Sequence, residues 1–390
     1  MGAWFDRRLG FAPVIQKLRH HLREPLPKHV GWLWTLGFTA AILFAVQILT
    51  GILLMLYYKP TADAAYESVR RIGEEIPAGW LVRGLHVWGS HFIVGVLILH
   101  ALRVFLYGGY KKPRELTWIF GVLLLMIALG FGLSGYLLPW TQLSYWATTV
   151  VTEGAGALPG IGGASLELVR GGEQVSEATL GRFFVAHVIL LPVALVILIS
   201  LHLYLVARLR LAPIEDVRTE EEQGYERLVA EGKPYHLHLT KEVTVALVAV
   251  GLLATCAILF PAHLGAKADP FSTPPGIKPE WYFLPIYQVQ KYFPADMGFL
   301  SGKTAGVLFV GLCSILFLFL PFIDRSPERD PHRRKWTIRI GMVVMLAVIL
   351  VGVLGFLSDR RIEVFGKAFQ FDPYGVPHAV QKVEGPPDGH

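Results

Sequence analysis

Seven long apolar segments dominate this sequence of 390 residues and restrict it to a membrane-spanning fold. A helix crosses the hydrocarbon core with about 20 consecutive apolar residues. The segments of this length, named spans A to G in order, are 32–57, 81–106, 116–138, 184–206, 243–263, 304–323 and 337–357. The charged fraction is only 17%, against about 25% in soluble domains, which excludes a chain of soluble domains. We therefore predict an all-α polytopic membrane protein with seven transmembrane helices.

Lys and Arg are concentrated in the N-terminal segment and in the B–C, D–E and F–G loops. With seven spans, these four parts lie on one side, which we call the basic face. The positive-inside rule predicts that this face is cytoplasmic, together with the N-terminus. The C-terminus and the long Gly- and Pro-rich loops 58–80, 139–183 and 264–303 then lie on the opposite face. Long loops on one side predict chemistry or docking there, although loops that only cap the bundle are the alternative.

Composition also divides the chain into parts. In residues 1–30, apolar residues such as Trp4, Phe5 and Leu9 alternate with basic ones such as Arg7, which predicts an amphipathic helix in the membrane interface. The remaining parts are a four-helix domain with spans A–D at 31–210, a charged cytoplasmic linker at 211–242, a three-span domain at 243–358, and a polar tail at 359–390, expected to be extended.

Four histidines lie deep in spans B and D, at His86, His100, His187 and His202. On span B their separation is 14 residues, close to four helical turns, so both rings project from one face about 21 Å apart. On span D the separation is 15 residues, which rotates the second ring by roughly 60° and predicts a local irregularity in that helix. Because B and D run in the same direction, His86 faces His187 at one depth and His100 faces His202 at another.

Two facing imidazoles are an axial ligand pair for a haem iron, and two such pairs would stack two haems across the bilayer. Four unbonded polar rings in hydrocarbon would be costly, although any one of them alone could be a packing residue. His91 lacks a partner at its depth and is assigned to packing. The two cysteines, Cys256 and Cys313, are too few for an iron–sulfur or zinc cluster.

Glycines repeat the histidine spacing on the neighbouring spans. Gly37 and Gly51 on span A, and Gly121 and Gly135 on span C, are each 14 residues apart. Glycine lets a flat macrocycle approach a helix backbone, and ordinary close packing of helices is the alternative.

Arginines lie near the same histidines. Arg83, Arg103 and Arg182 are each within five residues of a candidate ligand, and Arg114 lies near the cytoplasmic boundary. Arginine binds carboxylates with two hydrogen bonds, so these residues are candidate partners of haem propionates. Snorkelling to the interface is the alternative.

The E–F loop contains the sequence Pro279-Glu280-Trp281-Tyr282. A carboxylate among aromatic residues can accept and pass on a proton near neutral pH. Tyr136, Pro139-Trp140 and Tyr145-Trp146 lie at the same membrane face. An aromatic pocket with one ionisable group suits a lipid-soluble quinol, and a capping loop with an interfacial aromatic belt is the alternative.

At this point the chain resembles cytochrome b of the quinol–cytochrome c reductases (bc complexes) and the plastoquinol–plastocyanin reductases (bf complexes). The resemblance covers about residues 20–357. It rests on the four histidines, the paired glycines, and the segments 112–118, 135–140 and 279–282.

The resemblance implies that His86 and His187 bind a low-potential b haem on the outer side. It implies that His100 and His202 bind a high-potential b haem on the cytoplasmic side.

For the substrate, the resemblance implies quinol oxidation in an outer pocket shaped by Tyr136, Pro139, Glu280 and Tyr287. It further implies a Rieske iron–sulfur partner, a cytochrome c-type subunit, an inner quinone site, proton translocation by a Q cycle, and a homodimeric complex in a bacterial cell membrane.

The chain also departs from both family patterns. The 15-residue spacing on span D is similar to the bf type, yet the four-span and three-span parts are fused, and the tail is polar where the mitochondrial type has an eighth span. The combination resembles a fused bacterial form. Thr35 stands where the bf type has the cysteine of a covalently bound third haem, so we do not expect that haem. Ala207, followed by Arg208, stands where the mitochondrial type has an inner-site histidine, so the inner site stays undefined.

Two other functions fit part of the pattern. A dihaem membrane anchor, linking a dehydrogenase or hydrogenase to the quinone pool, can use four histidines but gives no role to the Glu280 loop. A non-haem secondary transporter predicts broken-helix repeats, which the sequence does not contain.

Overall fold

The computed structural model describes Arg8 and residues 10–298, 300–364 and 367–380. The predicted apolar positions Trp4, Phe5 and Leu9, and also Arg7, lie outside the described residues. The N-terminal helix α1 begins at Phe11 and its last turn carries His20, His21 and Arg23, in agreement with the predicted basic helix.

The chain is mostly helical. The helices are α1 (Phe11–Arg23), α2 (Leu36–Met55), α3 (Ala65–Glu74), α4 (Gly79–Leu106), α5 (Glu115–Leu137), α6 (Gln142–Gly156), α7 (Gly162–Arg170), α8 (Glu177–Val185), α9 (Leu191–Leu209), α10 (Val217–Gln223), α11 (Tyr225–Val229), α12 (Tyr235–Leu259), α13 (Leu284–Lys291), α14 (Gly302–Leu318), α15 (Leu320–Ile323) and α16 (Lys335–Leu357). A 3₁₀ turn, Trp32–Thr35, precedes α2.

Six helical segments are long and apolar enough to cross a membrane. They correspond to spans A, B, C, D, E and G, and run over Trp32–Met55, Gly79–Leu106, Glu115–Leu137, Glu177–Leu209, Tyr235–Leu259 and Lys335–Leu357. Span F corresponds to α14, a shorter apolar helix of 17 residues. The polytopic helical fold is therefore confirmed, and the seventh crossing stays a prediction.

Span D contains the irregularity that the histidine spacing predicts. Between α8 and α9 the chain forms a π-helical turn, Ala186–Leu190, which includes His187. A π-turn accommodates one residue more than the α-helix around it. The extra residue in the 15-residue spacing is absorbed there, so both histidines of span D face span B.

The centre of the bundle is apolar and joins spans A to E. Its buried side chains lie between the two histidine levels along each span, and include Leu43, Phe44, Ile93, Leu124, Ala128, Leu195 and Leu253. This layer holds the four-span part against span E and separates the two levels.

The C-terminal tail differs from the extended segment that we expected. It forms a three-stranded antiparallel sheet in the order β1 (Arg361–Val364), β2 (Lys367–Phe371) and β3 (Pro377–Val380). The side-chain oxygen of Asp372 accepts hydrogen bonds from the backbone of Tyr374 and Val376, both at 2.9 Å, which fixes the β2–β3 turn. The sheet lies against α13, where Gln288 donates to the carbonyl of Pro373 at 3.1 Å.

Buried ion pairs fasten the loops of the basic face together. We call the following residues the basic-face cluster: Lys111, Arg114, Glu220, Asp324, Arg329 and Arg334. Asp324 of the F–G loop pairs with Lys111 at 2.9 Å and Arg334 at 3.2 Å. Glu220 of the D–E loop pairs with Arg114 at 3.0 Å and with fully buried Arg329 at 2.6 Å.

The charged state of Asp324 is stabilised by its neighbours. Burial alone would raise the pKa of Asp324, but hydrogen bonds from Tyr110 and Lys111 outweigh burial and hold the pKa below its ordinary value. A carboxyl whose pKa is lower in the folded state stabilises the fold above its unfolded pKa, about 4, and loses this contribution as the pH falls further.

We predict that Asp324→Asn lowers the free energy of unfolding of the detergent-solubilised protein by about 3 kcal/mol at pH 7, because Lys111 and Arg334 then lose their buried counter-ion. The variant should also lose less stability than the wild type below pH 4. The matched control is Glu75→Gln, which breaks an exposed ion pair with Arg71 and should cost less than about 1 kcal/mol. Equal losses in the two variants would contradict the role of the cluster.

Candidate functional site

The histidine level nearer the opposite face brings four spans together. The imidazoles of His86 and His187 face each other with ring centroids 6.2 Å apart and ring planes at 70°. A Cβ atom at Gly51 would stand 3.3 Å from Cε1 of His86, and one at Gly135 would stand 2.6 Å from Cε1 of His187. Glycine is therefore required at Gly135 and leaves room at Gly51.

The level nearer the basic face repeats this arrangement. A Cβ atom at Gly37 would stand 3.1 Å from Cε1 of His100, and one at Gly121 would stand 3.3 Å from Cε1 of His202. His100 and His202 lie within electrostatic range of each other. Each of the four glycines that repeat the histidine spacing thus lies against one of the four candidate ligand histidines.

Hydroxyl groups orient the two rings of the first level. Nδ1 of His86 lies 2.9 Å from Oγ1 of Thr50, and Nδ1 of His187 lies 3.0 Å from Oγ of Ser134. Each hydroxyl donates its own hydrogen to a carbonyl of its helix, so it accepts from the imidazole. Nδ1 then carries the proton, and Nε2 keeps the lone pair that a metal requires.

The second level is oriented in a different way. Nδ1 of His202 donates to the carbonyl of Thr117 at 3.0 Å, which again leaves Nε2 free. Nδ1 of His100 accepts a long hydrogen bond of 3.4 Å from Arg103. Nε of Arg103 is buried without a partner among the described residues. Arg103 is therefore available to a carboxylate beside His100. If Arg103 turned away from Nδ1 of His100, this ring could carry its proton on Nδ1, as the other three rings do.

The separation of the first pair of rings fits a haem. A bond of about 2 Å from a metal to each ring nitrogen, added to the distance from nitrogen to ring centre, separates two axial imidazoles by roughly 6 Å. The centroids of His86 and His187 meet this separation. Among the described residues, no group of three or more His, Cys, Asp or Glu side chains could hold a bare metal ion. The paired histidines therefore suit a metal whose other ligands come from a macrocycle.

The other predicted arginines have protein partners. Arg83 donates to the carbonyls of Ala262 and His263, at 2.8 and 3.1 Å, and so holds the end of span E. Arg182 donates to the carbonyl of Ala178 in a long bond of 3.4 Å, and its guanidinium lies beside Gly171.

Arg114 does not reach the histidine levels as a free guanidinium. It belongs to the basic-face cluster, where it binds both carboxylate oxygens of Glu220 and the carbonyl of Leu209. It forms an ion pair between the B–C and D–E loops, and its role towards a propionate stays a prediction.

Thr35, at the position of the bf-type cysteine, is fully buried. Its hydroxyl donates to the carbonyl of Trp32 at 2.7 Å, which closes the 3₁₀ turn before span A. The residue therefore serves the backbone of this turn.

At the opposite face, Tyr136 and Glu280 line one narrow cavity. Its walls come from span C, α6 and the E–F loop, and comprise Leu133, Tyr136, Ala147, Thr148, Val151, Pro279, Glu280 and Phe283. The cavity has a volume of about 10 Å³, the space of one water molecule. A larger ligand can enter only when lining side chains move aside.

Two predicted pocket residues lie outside this lining. The hydroxyl of Tyr287 donates to the carbonyl of Ile277 at 3.3 Å, and Nζ of Lys291 lies 4.6 Å above its ring. Pro139 lies in the turn that follows span C, next to Trp140, whose φ is 51°. Neither residue is among the lining residues of this cavity.

Tyr282 is wedged between two spans. Its hydroxyl lies where a Cβ atom at Gly132 would be only 2.7 Å away, so glycine is needed at this position of span C. Burial raises the pKa of Tyr282, and the nearby charge of Glu280 adds to the rise, so the hydroxyl stays protonated.

A second cavity, which no motif in the sequence indicates, lies at the basic face. It has a volume of about 130 Å³ between the N-terminal segment and the start of span E. Its lining residues are Leu26, Pro27, Lys28, Val30, Lys233, Pro234, Leu237, His238 and Lys241. Arg208, considered for an inner site, is exposed and is not among these lining residues.

His238 is the chemically notable residue of this second cavity. The ring is 6% exposed, and neither nitrogen has a hydrogen-bond partner among the described residues. Its Nε2 lies 3.6 Å from the carboxylate of Glu242, which accepts a hydrogen bond of 2.9 Å from Tyr235. His238 and Glu242 are four residues apart, so helical spacing would have placed them on one face of span E.

Two family profiles match the chain. "Cytochrome b/b6/petB" matches residues 22–210, and "Cytochrome b(C-terminal)/b6/petD" matches residues 267–370.

Relatives match over nearly the whole chain. The "Cytochrome bc complex cytochrome b subunit" of Chlorobaculum thiosulfatiphilum is 37% identical over 90% of this chain and 79% of that protein. "Cytochrome b" of Rickettsia prowazekii (strain Madrid E) is 34% identical over 92% of this chain and 87% of that protein. A solved structure titled "Hyperthermophilic respiratory Complex III" has a TM-score of 0.81 and 30% identity, and covers 94% of this chain and 92% of that chain.

We predict that Gly135→Ala lowers the haem content of the purified protein, because the new Cβ would stand 2.6 Å from His187 and displace that ring. Reduced-minus-oxidised spectra of the purified protein measure the change. Gly130→Ala is the matched control on the same helix, since its Cβ would meet Leu191 at an ordinary 3.5 Å. Equal haem content in the two variants would contradict the layered arrangement.

Proposed function

The chain belongs to the cytochrome b family, as the cytochrome b subunit of a bc-type complex, and from this premise we propose that it links quinol oxidation at one membrane face to quinone reduction at the other. The observation that carries this proposal is the pair of histidine levels, because at both levels a glycine of a neighbouring span lies against each imidazole. The bound haems supply single-electron transfer between the faces.

The residues that hold the haems follow from the levels. His86 and His187 would hold one haem near the opposite face, and His100 and His202 would hold another near the basic face. Arg103, with its unpartnered Nε, is suited to bind a propionate beside His100. Thr50 and Ser134 keep two of the rings in the tautomer that binds iron.

Quinol oxidation is assigned to the cavity between Tyr136 and Glu280. Its lining is largely apolar, which suits a lipid-soluble ring and keeps water away from the reacting groups. Oxidation of a quinol releases two protons, and Glu280 is the carboxylate among the lining residues and the proposed acceptor of one of them.

Quinone reduction is assigned to the cavity of the basic face. Reduction takes up two protons, and His238, Glu242 and Lys241 bring an imidazole, a carboxylate and an ammonium group to this place. Burial and the neighbouring charge of Arg103 lower the pKa of His29 to about 4, so His29 stays neutral beside this region.

The sidedness and the partners complete the proposal. We assign the basic face to the cytoplasm of a bacterial cell, because Lys and Arg favour that side of a membrane. Quinol oxidation then releases protons outside, and quinone reduction takes them up inside, as in a Q cycle. A Rieske iron–sulfur protein and a cytochrome c-type subunit are the proposed partners in a homodimeric complex, in keeping with the complexes named for the relatives.

We predict that Glu280→Gln slows quinol oxidation by the purified complex at least tenfold while both haems remain, because an amide fills the same space but accepts no proton. Turnover with a short-chain quinol analogue and the b-haem spectrum provide the two measurements. The control is Glu153→Gln at the same face, which removes an exposed carboxylate paired with Lys303. Unchanged turnover in Glu280→Gln would exclude the proposed proton acceptor.

We predict a different defect for Glu242→Gln. Quinol should still reduce the b haems, but their reoxidation by added quinone should slow about tenfold, since His238, which lines the cavity, loses the carboxyl group 3.6 Å from its ring that we propose as its proton source. Stopped-flow absorbance of the b haems separates the two phases. Glu221→Gln is the control, because it removes an exposed carboxylate of the same face, paired with Lys112. If reoxidation is normal in Glu242→Gln, the inner assignment is wrong.

A further inference from the structure

His91 of span B makes a directed contact with the loop that carries Glu280. The indole nitrogen Nε1 of Trp281 donates a hydrogen bond to Nδ1 of His91 at 3.1 Å. The packing role that we expected from the sequence is thus incomplete, because His91 also binds the residue next to the proposed proton acceptor.

The contact defines the protonation state of His91. An indole N–H is only a donor, so Nδ1 of His91 must be the acceptor and carry no proton. The ring is therefore neutral, with its hydrogen on Nε2. A leucine or phenylalanine at this position would fill similar space but leave the Trp281 N–H without this partner.

Neighbouring side chains of span B hold the same region. The ring centroid of Tyr282 lies 6.1 Å from that of His91. One turn earlier, Nε1 of Trp88 donates to the carbonyl of Phe260 at 2.8 Å, where span E ends. Residues 88–91, one turn of span B, thus contact both the end of span E and the segment of the E–F loop that carries Trp281.

Packing alone does not fix the orientation of Trp281. Its side chain is 45% exposed, so one of its sides has no neighbour in the described chain. The hydrogen bond to His91 therefore orients the indole ring of Trp281. Glu280 directly precedes Trp281 in the chain, and its carboxylate lies within electrostatic range of His91.

We propose that His91 is a positioning residue of the quinol-oxidising site: as a neutral acceptor for Trp281, it holds the segment Pro279–Tyr282 so that Glu280 faces the cavity. The inference rests on the proposed function, since it concerns the same cavity. It assigns His91 no contact with the substrate and no place among the haem ligands.

The test compares three variants in the purified complex with a short-chain quinol analogue. His91→Leu removes the acceptor, and we expect kcat/KM for quinol to fall about fivefold, the factor that one net hydrogen bond supports. His91→Asn keeps an oxygen near the position of Nδ1 and should recover turnover to within about twofold of the wild type. Trp281→Phe removes the donor and should match His91→Leu.

The double variant His91→Leu/Trp281→Phe decides whether the two residues act through one bond. We expect it to be no slower than the slower single variant, because the bond is lost only once. Additive losses, or a His91→Asn variant as slow as His91→Leu, would overturn the proposal. A changed b-haem spectrum in His91→Leu would overturn it too, because His91 would then act on the nearby ligand His86.

Glu280→Gln separates failure of this inference from failure of the proposed function. If Glu280→Gln is slow and His91→Leu is as fast as the wild type, only the role of His91 is wrong. If the wild-type complex oxidises no quinol, the proposed function fails and the role of His91 fails with it.

Discussion

The close approach of helix backbones to imidazole rings is the constraint on which the interior of this protein depends. Two of the four rings are served by adjacent residues of a neighbouring span: Thr50 precedes Gly51, and Ser134 precedes Gly135. In each pair the hydroxyl orients the ring and the glycine makes room for it. The cost of placing a polar ring in hydrocarbon is thereby reduced by a hydrogen bond that also exposes the nitrogen a metal needs.

Much of this interior could be predicted because it obeys local periodicity. A separation of 14 residues returns a side chain to nearly the same face of a helix, whatever the rest of the chain does. The one exception, the 15-residue separation on span D, was also interpretable, and the π-turn Ala186–Leu190 is its structural counterpart. The depth of each histidine and the direction in which it faces could therefore be predicted from the spacing. The paired glycines show the same spacing and support the prediction independently.

The features that the sequence did not reveal depend on contacts between distant segments. Arg114 looked like a partner for a ligand, but its carboxylate is supplied by Glu220 in another loop. The polar composition of the tail did not distinguish a loop from strands, whose pairing is set by the turn at Asp372 and by contact with α13. The cavity beside His238 forms only where the N-terminal segment meets span E, so no single stretch of sequence contains it.

Hydrogen bonds and ion pairs join the four-span part to the three-span part at both faces. The cavity at the opposite face depends on these bonds. Tyr136 belongs to the four-span part and Glu280 to the three-span part, yet both line the same cavity. If the two parts moved relative to each other by a fraction of the cavity's width, Tyr136 and Glu280 would no longer line one cavity. At the basic face the buried charges around Arg329 oppose such a shift. At the opposite face, Arg83 holds the end of span E by its carbonyls. The geometry of this site is therefore a property of the joint between the two parts and of the bonds that cross it.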